Sequence, residues 1–65
     1  MALAPRHRVG DGVSAAVDIP YSDVIVPAGT TGVVTFVTEF GSEIFYFVVF
    51  DGDTLDRLAR EAQLR

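Results

Sequence analysis

The sequence predicts a small all-β domain, and three observations lead to this prediction. Segments 33–38 and 44–50 are rich in β-branched and aromatic residues, which favour extended strands. Turns that contain glycine or proline separate the apolar segments at short intervals. A chain of 65 residues without cysteine forms one domain with a small core and no disulfide to stabilise it.

The first strand is predicted to follow a glycine turn. We expect residues 1–8 to be a flexible lead-in and residues 9–65 to form the single domain. After a turn at residues 10–12, apolar side chains occupy every second position, as in a strand with one buried face. These alternating residues are Val13, Ala15, Val17 and Ile19. Pro20 is expected to end the strand, and it belongs to a long loop with two prolines and two glycines.

The second and third strands are predicted to form a hairpin whose loop is centred on Ser42. The third strand is unusual because the run from Ile44 to Phe50 is apolar on both faces. A strand with one solvated face should instead alternate apolar and polar residues. The run therefore predicts that something covers its second face, either the rest of the chain or another subunit.

A register that places Val34 opposite Phe50 and Phe36 opposite Val48 lets these residues share one face. The predicted core is then Val13, Ala15, Val17, Val34, Phe36, Tyr46, Val48 and Phe50. The residues between them must point outward, since neighbours along a strand face opposite sides. This outward set is Thr35, Val37, Phe45, Phe47 and Val49.

The C-terminal segment 54–64 allows two interpretations. Leucine and alanine at i, i+3, i+4 and i+7 from Leu55 to Ala62 are typical of an amphipathic helix, with Asp53 or Thr54 as its cap. The alternative is a short strand at about Thr54 to Leu58, followed by a helical turn that ends near Leu64.

Three short motifs resemble those of small bacterial SH3-like barrel proteins. They are GDGV at 10–13, PAGTTGVV at 27–34 and FVVFDGD at 47–53. The pattern is similar to that of the ferredoxin–thioredoxin reductase variable chain, the nitrile hydratase beta-subunit barrel and several uncharacterised families. The resemblance implies an SH3-like barrel of about five strands, with a long first loop and a short C-terminal helix or helical turn. It concerns the fold and says little about function.

Composition narrows the function classes. The net charge is −4, with five arginines and no lysine, which argues against direct binding to nucleic acid. No segment reaches the roughly 18 apolar residues of a membrane span, and the N-terminus lacks the apolar stretch of a signal peptide. We therefore expect a cytoplasmic protein that contacts neither nucleic acid nor membrane. We predict no cofactor, metal ligand or catalytic residue, because no motif supplies one.

The sequence therefore favours a non-catalytic interaction or accessory module that binds itself or another protein, with a homodimer as the expected assembly. The predicted surface comprises Val37, Phe45, Phe47, Val49 and, on the long loop, Tyr21. Tyr21 has a second interpretation as a lid over the core. One alternative function is a small enzyme or ligand-binding protein whose site forms between protomers. Another is an acidic mimic of nucleic acid that sequesters a basic regulator.

Overall fold

A computed structural model describes residues 4–65 and shows a mainly β domain with almost no helix. Its six strands are β1 (Gly12–Ser14), β2 (Ile19–Pro20), β3 (Ile25–Val26), β4 (Thr31–Phe40), β5 (Glu43–Phe50) and β6 (Asp56–Arg60). A 3-10 helix, Glu61–Gln63, follows β6. The predicted all-β class is confirmed.

The strands form two antiparallel sheets that do not close into a barrel. One sheet has four strands in the order β1-β4-β5-β6, and the other is the short β2–β3 hairpin. The end of the chain returns to β1, where Ser14 and Arg65 exchange two backbone hydrogen bonds of 3.1 and 2.8 Å. An isolated bridge joins Ala15 to Leu64 beside them. The C-terminus thus lies along the free side of β1.

The core lies on one side of the four-stranded sheet, which we call the inner face. Six of the predicted core residues are buried there, which confirms their assignment: Val13, Ala15, Val34, Tyr46, Val48 and Phe50. The pattern missed five others, which are Ile19, Val26, Ile44, Ala59 and Leu64. Most of the missed residues come from the short hairpin and the C-terminal segment, whose conformations the sequence pattern left open.

The C-terminal segment follows the second of its two predicted interpretations. It forms strand β6 and then a 3-10 helix, instead of one amphipathic helix. Strand β6 pairs with β5, and Ala59 lies opposite the fully buried Tyr46. Pairing with the long apolar strand β5 outweighs the local helical pattern, because helix propensity contributes only tenths of a kcal/mol per residue.

The β4–β5 register differs from the predicted one. The hairpin loop is Gly41–Ser42, and Gly41 has a φ of 63°, which suits the first central position of a type II′ turn. Val34 lies opposite Val48 instead of Phe50. Beyond it, the register shifts by one residue, and Phe36 lies opposite Phe47 instead of Val48.

This shift is a β-bulge at Thr35, which inserts one extra residue into β4. The Thr35 hydroxyl lies within hydrogen-bond distance of two acceptors: the Phe47 carbonyl on the neighbouring strand β5, at 3.2 Å, and Asp56 Oδ2 on β6 beyond it, at 2.6 Å. Because side chains alternate along a strand, the extra residue moves Phe36 out of the core and Val37 toward it. Two predictions are corrected accordingly: Phe36 is 55% exposed, and Val37 packs against the core opposite Tyr46.

Val17 is also exposed, contrary to its predicted place in the core. Strand β1 ends at Ser14, and the chain then bends at residues 16–17, so the alternation of the first segment does not continue as one strand. Pro20 does not stop the next strand but lies within β2, which pairs only with β3. Proline is tolerated there because β2 is an edge strand with no second neighbour among the described strands that would need a backbone N–H from it.

Residues 4–8 form neither helix nor strand, and residues 1–3 of the predicted lead-in lie outside the described residues. The backbone N–H groups of Arg6 and His7 donate to the hydroxyl of Tyr46 at 3.1 and 3.4 Å. The His7 ring meets the Tyr46 ring edge-on, with 5.3 Å between their centroids. The division into a flexible lead-in and one domain stays a prediction.

Candidate functional site

The candidate site is the side of the four-stranded sheet that faces away from the core, which we call the outer face. Three strands contribute to it, and their register brings together Val33 with Val49, Phe36 with Phe47, and Leu58 with Phe47. Six apolar residues of the outer face form a patch across β4, β5 and β6: Val33, Phe36, Phe45, Phe47, Val49 and Leu58. Phe40 also faces outward, opposite Glu43 at the hairpin end.

The patch is open to solvent in the part of the chain that the structure describes. Phe36, Val33 and Leu58 are 55%, 47% and 47% exposed, and the three β5 side chains between them are half-buried. The Phe36 and Phe47 rings meet edge-to-face with 6.0 Å between centroids, an arrangement that orders both rings. An ordered apolar patch of this kind is typical of a surface that binds protein.

One polar pair crosses the patch and a second pair borders it. The Thr35 hydroxyl on β4 donates to Asp56 on β6 across β5, with Val33 and Val49 on one side of this bond and Phe36, Phe47 and Leu58 on the other. At the hairpin end, Arg60 lies 3.9 Å from Glu43. These polar groups carry both signs of charge and only one excess negative charge. Apolar patches with a polar border are the ones most often used in protein contacts.

The structure divides the predicted surface residues into two groups. Phe45, Phe47 and Val49 lie on the outer face, as the alternation predicts. Val37 and Tyr21 do not, and both pack against the core. The prediction missed Val33, Phe36 and Leu58. The strand interpretation of the C-terminal segment would have indicated Leu58, whereas no sequence signal marks the bulge that exposes Phe36.

Tyr21 instead fastens the β2–β3 hairpin to β6. Its hydroxyl donates to the Leu58 carbonyl at 2.7 Å, and its ring lies 5.4 Å from the Arg57 guanidinium carbon. Burial is the main cause that raises the pKa of Tyr21. This geometry agrees with the lid interpretation of Tyr21. Its hydrogen bond also holds β6 in the position that turns Leu58 outward.

Arg57 completes this attachment. Its guanidinium donates to both carboxylate oxygens of Asp23, at 2.7 and 2.9 Å, and to Asp53 at 2.7 Å. Hydrogen bonds from Arg57 are the first cause that lowers the pKa of each aspartate, and the same bonds raise the pKa of Arg57. Asp53 also accepts from the backbone N–H of Thr54 at 2.8 Å, so the DGD segment is a turn that holds an arginine.

The buried polar centre is the hydroxyl of Tyr46. It donates to Glu61 Oε2 at 2.8 Å, and accepts the two N–H groups from residues 6 and 7. Burial first, and then the bond to Glu61, raise the pKa of Tyr46. All three partners of this hydroxyl belong to the segments that pack around it. The tyrosine ties the residues before β1 and the 3-10 helix to the core.

The described residues also form an open cleft but no group of metal ligands. An open cleft of about 350 Å³ is lined by residues 42–44 and 60–62, and combines Arg60 with Glu43 and Glu61. Within residues 4–65, no three His, Cys, Asp or Glu side chains come together in a way that could hold a metal ion. No helix of this part of the chain is long and apolar enough to cross a membrane.

No family model, curated protein or solved structure matches this chain. The resemblance to SH3-like barrel proteins therefore stays a prediction from the motifs. A functional assignment has to come from the geometry of the outer face and from the chemistry of the residues around it.

Proposed function

We propose that this protein is a non-catalytic interaction module that self-associates through the outer face. The observation that carries the proposal is the outward patch of six apolar side chains, which the Thr35–Asp56 hydrogen bond crosses. The described C-terminal residues do not cover it. Leu64 is buried in the core on the inner side, and residues 63–65 pair with β1.

The size of the patch supports a second copy as its occupant. The six side chains present on the order of 400 Å² of apolar area, comparable with the largest and often functional patches of monomers. Two such faces together with their borders approach the roughly 1,000 Å² that a specific interface requires. Two sheets also pack well face to face, with their strands about 30° apart.

Charge supports self-association over a basic partner. The chain carries −4 overall, but the charged residues on the outer face are only Glu43, Asp56 and Arg60. Most acidic residues therefore lie away from the patch, so two copies can meet without bringing their main negative charge together. A protein that mimics nucleic acid would instead be expected to concentrate its carboxylates on the binding surface.

For the fold, we propose an SH3-like arrangement in which the C-terminal residues complete the sheet. The supporting observations are the 3-10 helix directly after β6, the bridge between Ala15 and Leu64, and the hydrogen bonds between Ser14 and Arg65. Gly29 has a φ of 91°, and Gly32 approaches β5 closely, which suits corners of such a sheet. The cytoplasmic location stays a prediction.

The test compares substitutions of two leucines that are similarly exposed but lie at different places on the surface. Leu58 on the outer face is 47% exposed, and Leu55 in the turn before β6 is 52% exposed. A buried carboxylate at an apolar contact is costly, so we expect Leu58→Asp to weaken self-association at least about tenfold. Leu55→Asp adds the same charge and should leave association unchanged. Sedimentation equilibrium over a range of concentrations measures both.

Equal behaviour of the two variants would contradict the proposal, as would a wild-type chain that stays monomeric at high micromolar concentration. Circular dichroism melts of both variants check that each retains the fold. If Leu58→Asp does not fold, Phe36→Ser provides a milder change on the same face, because Phe36 already lies outside the core.

A further inference from the structure

The outer half of β4 has an open backbone edge. Strand β1 pairs with β4 only at residues 31–33, and two further hydrogen bonds connect Val34 with Gly10 and Asp11. From Phe36 to Phe40, β4 continues beside β5 alone. In the described part of the chain, this five-residue stretch has no strand on its second side.

The other edges of the sheet are protected. On β6, the Leu58 carbonyl accepts from Tyr21, and the Arg60 N–H donates to the side chain of Gln63 at 2.9 Å. On β1, Ser14 is paired with the C-terminal Arg65. Proteins usually protect exposed edges in this way because unpaired edges recruit other strands. The open stretch of β4 is therefore an exception in this sheet.

The polarity of the edge follows from the hairpin. Residues that flank a two-residue loop, here Phe40 and Glu43, form a hydrogen-bonded pair. Backbone groups alternate along a strand, so Thr38 also bonds to β5, whereas the N–H and C=O groups of Val37 and Glu39 point away from it. Pro5 lines a small cleft beside this edge but, as a proline, has no N–H to donate.

We infer that this edge pairs with the same edge of a second copy, antiparallel and centred on Thr38. This inference rests on the proposed self-association and names a second contact for it. With Thr38 opposite its own copy, Val37 lies opposite Glu39 of the other chain. Within residues 4–65, no strand pairs with the outward backbone groups of these two residues, so the symmetric pairing forms four inter-chain hydrogen bonds.

Side chains match in the same register. Phe36 lies opposite Phe40 of the other chain on the outer face, and the two threonines face each other between the aromatic pairs. Aromatic and Thr–Thr cross-strand pairs are stabilising combinations. The pairing also gives a role to Phe40, which at 78% is the most exposed of the large hydrophobic side chains described.

The two contacts are compatible. Pairing about an axis normal to the sheet places both outer faces on the same side, which doubles the apolar surface. Two such pairs can then stack face to face, so the assembly with both contacts contains four chains. Loss of either contact alone leaves a dimer of different geometry, which makes the two proposals separable by experiment.

The test removes one donor from the edge. Glu39→Pro deletes an N–H that β5 does not use, and proline is tolerated at such edge positions. Glu39→Thr removes the same carboxylate but keeps the N–H, and serves as the matched control. We expect sedimentation equilibrium to show four chains for wild type and Glu39→Thr, and two for Glu39→Pro. Four chains for Glu39→Pro would overturn the inference.

Amide hydrogen exchange of the wild type gives an independent answer if Glu39→Pro does not fold. We expect the Val37 and Glu39 amides to exchange at least about tenfold more slowly at concentrations where the chain is assembled. The Thr38 and Phe40 amides bond within the hairpin and serve as internal references.

Exchange at Val37 and Glu39 that does not depend on protein concentration would refute edge pairing. It would not contradict self-association through the outer face. Protection of Val37 and Glu39 that persists in Leu58→Asp would show that the edge contact forms independently of the outer face.

Discussion

Substitution of Gly32 by alanine tests the observed β4–β5 register, because this glycine lies opposite Phe50 and its Cα is crowded by atoms of β5. A Cβ at Gly32 would lie 2.7 Å from the Val49 carbonyl oxygen, 2.9 Å from Val48 Cγ1 and 3.0 Å from Phe50 Cα. Ordinary contacts between such atoms are about 3.5 Å or longer. Two of the three atoms are backbone, so the strands themselves must move apart.

The expected cost follows from these distances. Overpacking that forces a backbone shift costs about 1–3 kcal/mol. Replacing a strand glycine recovers about 0.5–1 kcal/mol, because the unfolded chain loses freedom. We therefore expect Gly32→Ala to lower the free energy of unfolding by about 1 kcal/mol, and by about 2.5 kcal/mol at most. In a domain of this size, each kcal/mol lowers the melting temperature by about 4–8 °C.

Gly12 provides the matched control. It lies on β1 in the same sheet, opposite Val33, and a Cβ there would meet no atom within 4 Å. Gly12→Ala should therefore be neutral or slightly stabilising. Thermal and urea unfolding, followed by circular dichroism at one fixed protein concentration, measure both variants.

A Gly32→Ala variant as stable as Gly12→Ala would refute the register. The pairing predicted from sequence, continued along the strands, puts Gly32 opposite Gly52 in the next turn, where a methyl group has room. The pair of variants therefore distinguishes the observed hairpin from the predicted one.

Two further predictions concern pH. Tyr46→Phe should lower stability by about 1–2 kcal/mol through the lost bond to Glu61. Because the pKa of Tyr46 is raised in the fold, the contribution of Tyr46 to stability is full below about pH 10 and is lost as the pH rises further. Urea unfolding between pH 8 and 11 should show a weaker decline in Tyr46→Phe than in the wild type, and parallel declines would contradict this role of Tyr46. Asp23 and Asp53 have lowered pKa values, so their contribution is present above about pH 3.9 and is lost in more acidic solution. Arg57→Met should lower the melting temperature at pH 7 and flatten this acid decline; an unchanged acid profile would argue against the role of Arg57.

The site was partly predictable because residue alternation is a local property. Phe45, Phe47 and Val49 could be placed on one face of β5 from the apolar run alone, since the side-chain period of a strand is two. Phe36 and Val37 lie on faces opposite to those predicted because of one bulge at Thr35, a residue that also contacts Asp56, 21 residues away in the chain. Such a contact has no local signal in the sequence.

By itself, the sequence determined that this is a small β domain with a strand too apolar for one wet face. Composition and periodicity carry that information, because they depend on neighbours along the chain. Only the tertiary structure decided what lies beside that strand. It showed that Asp56–Arg60 extends the sheet instead of forming a helix, and that Leu64 enters the core from the C-terminus. It also showed that the second face of β5 has no cover within the described chain, because these choices depend on long-range pairing.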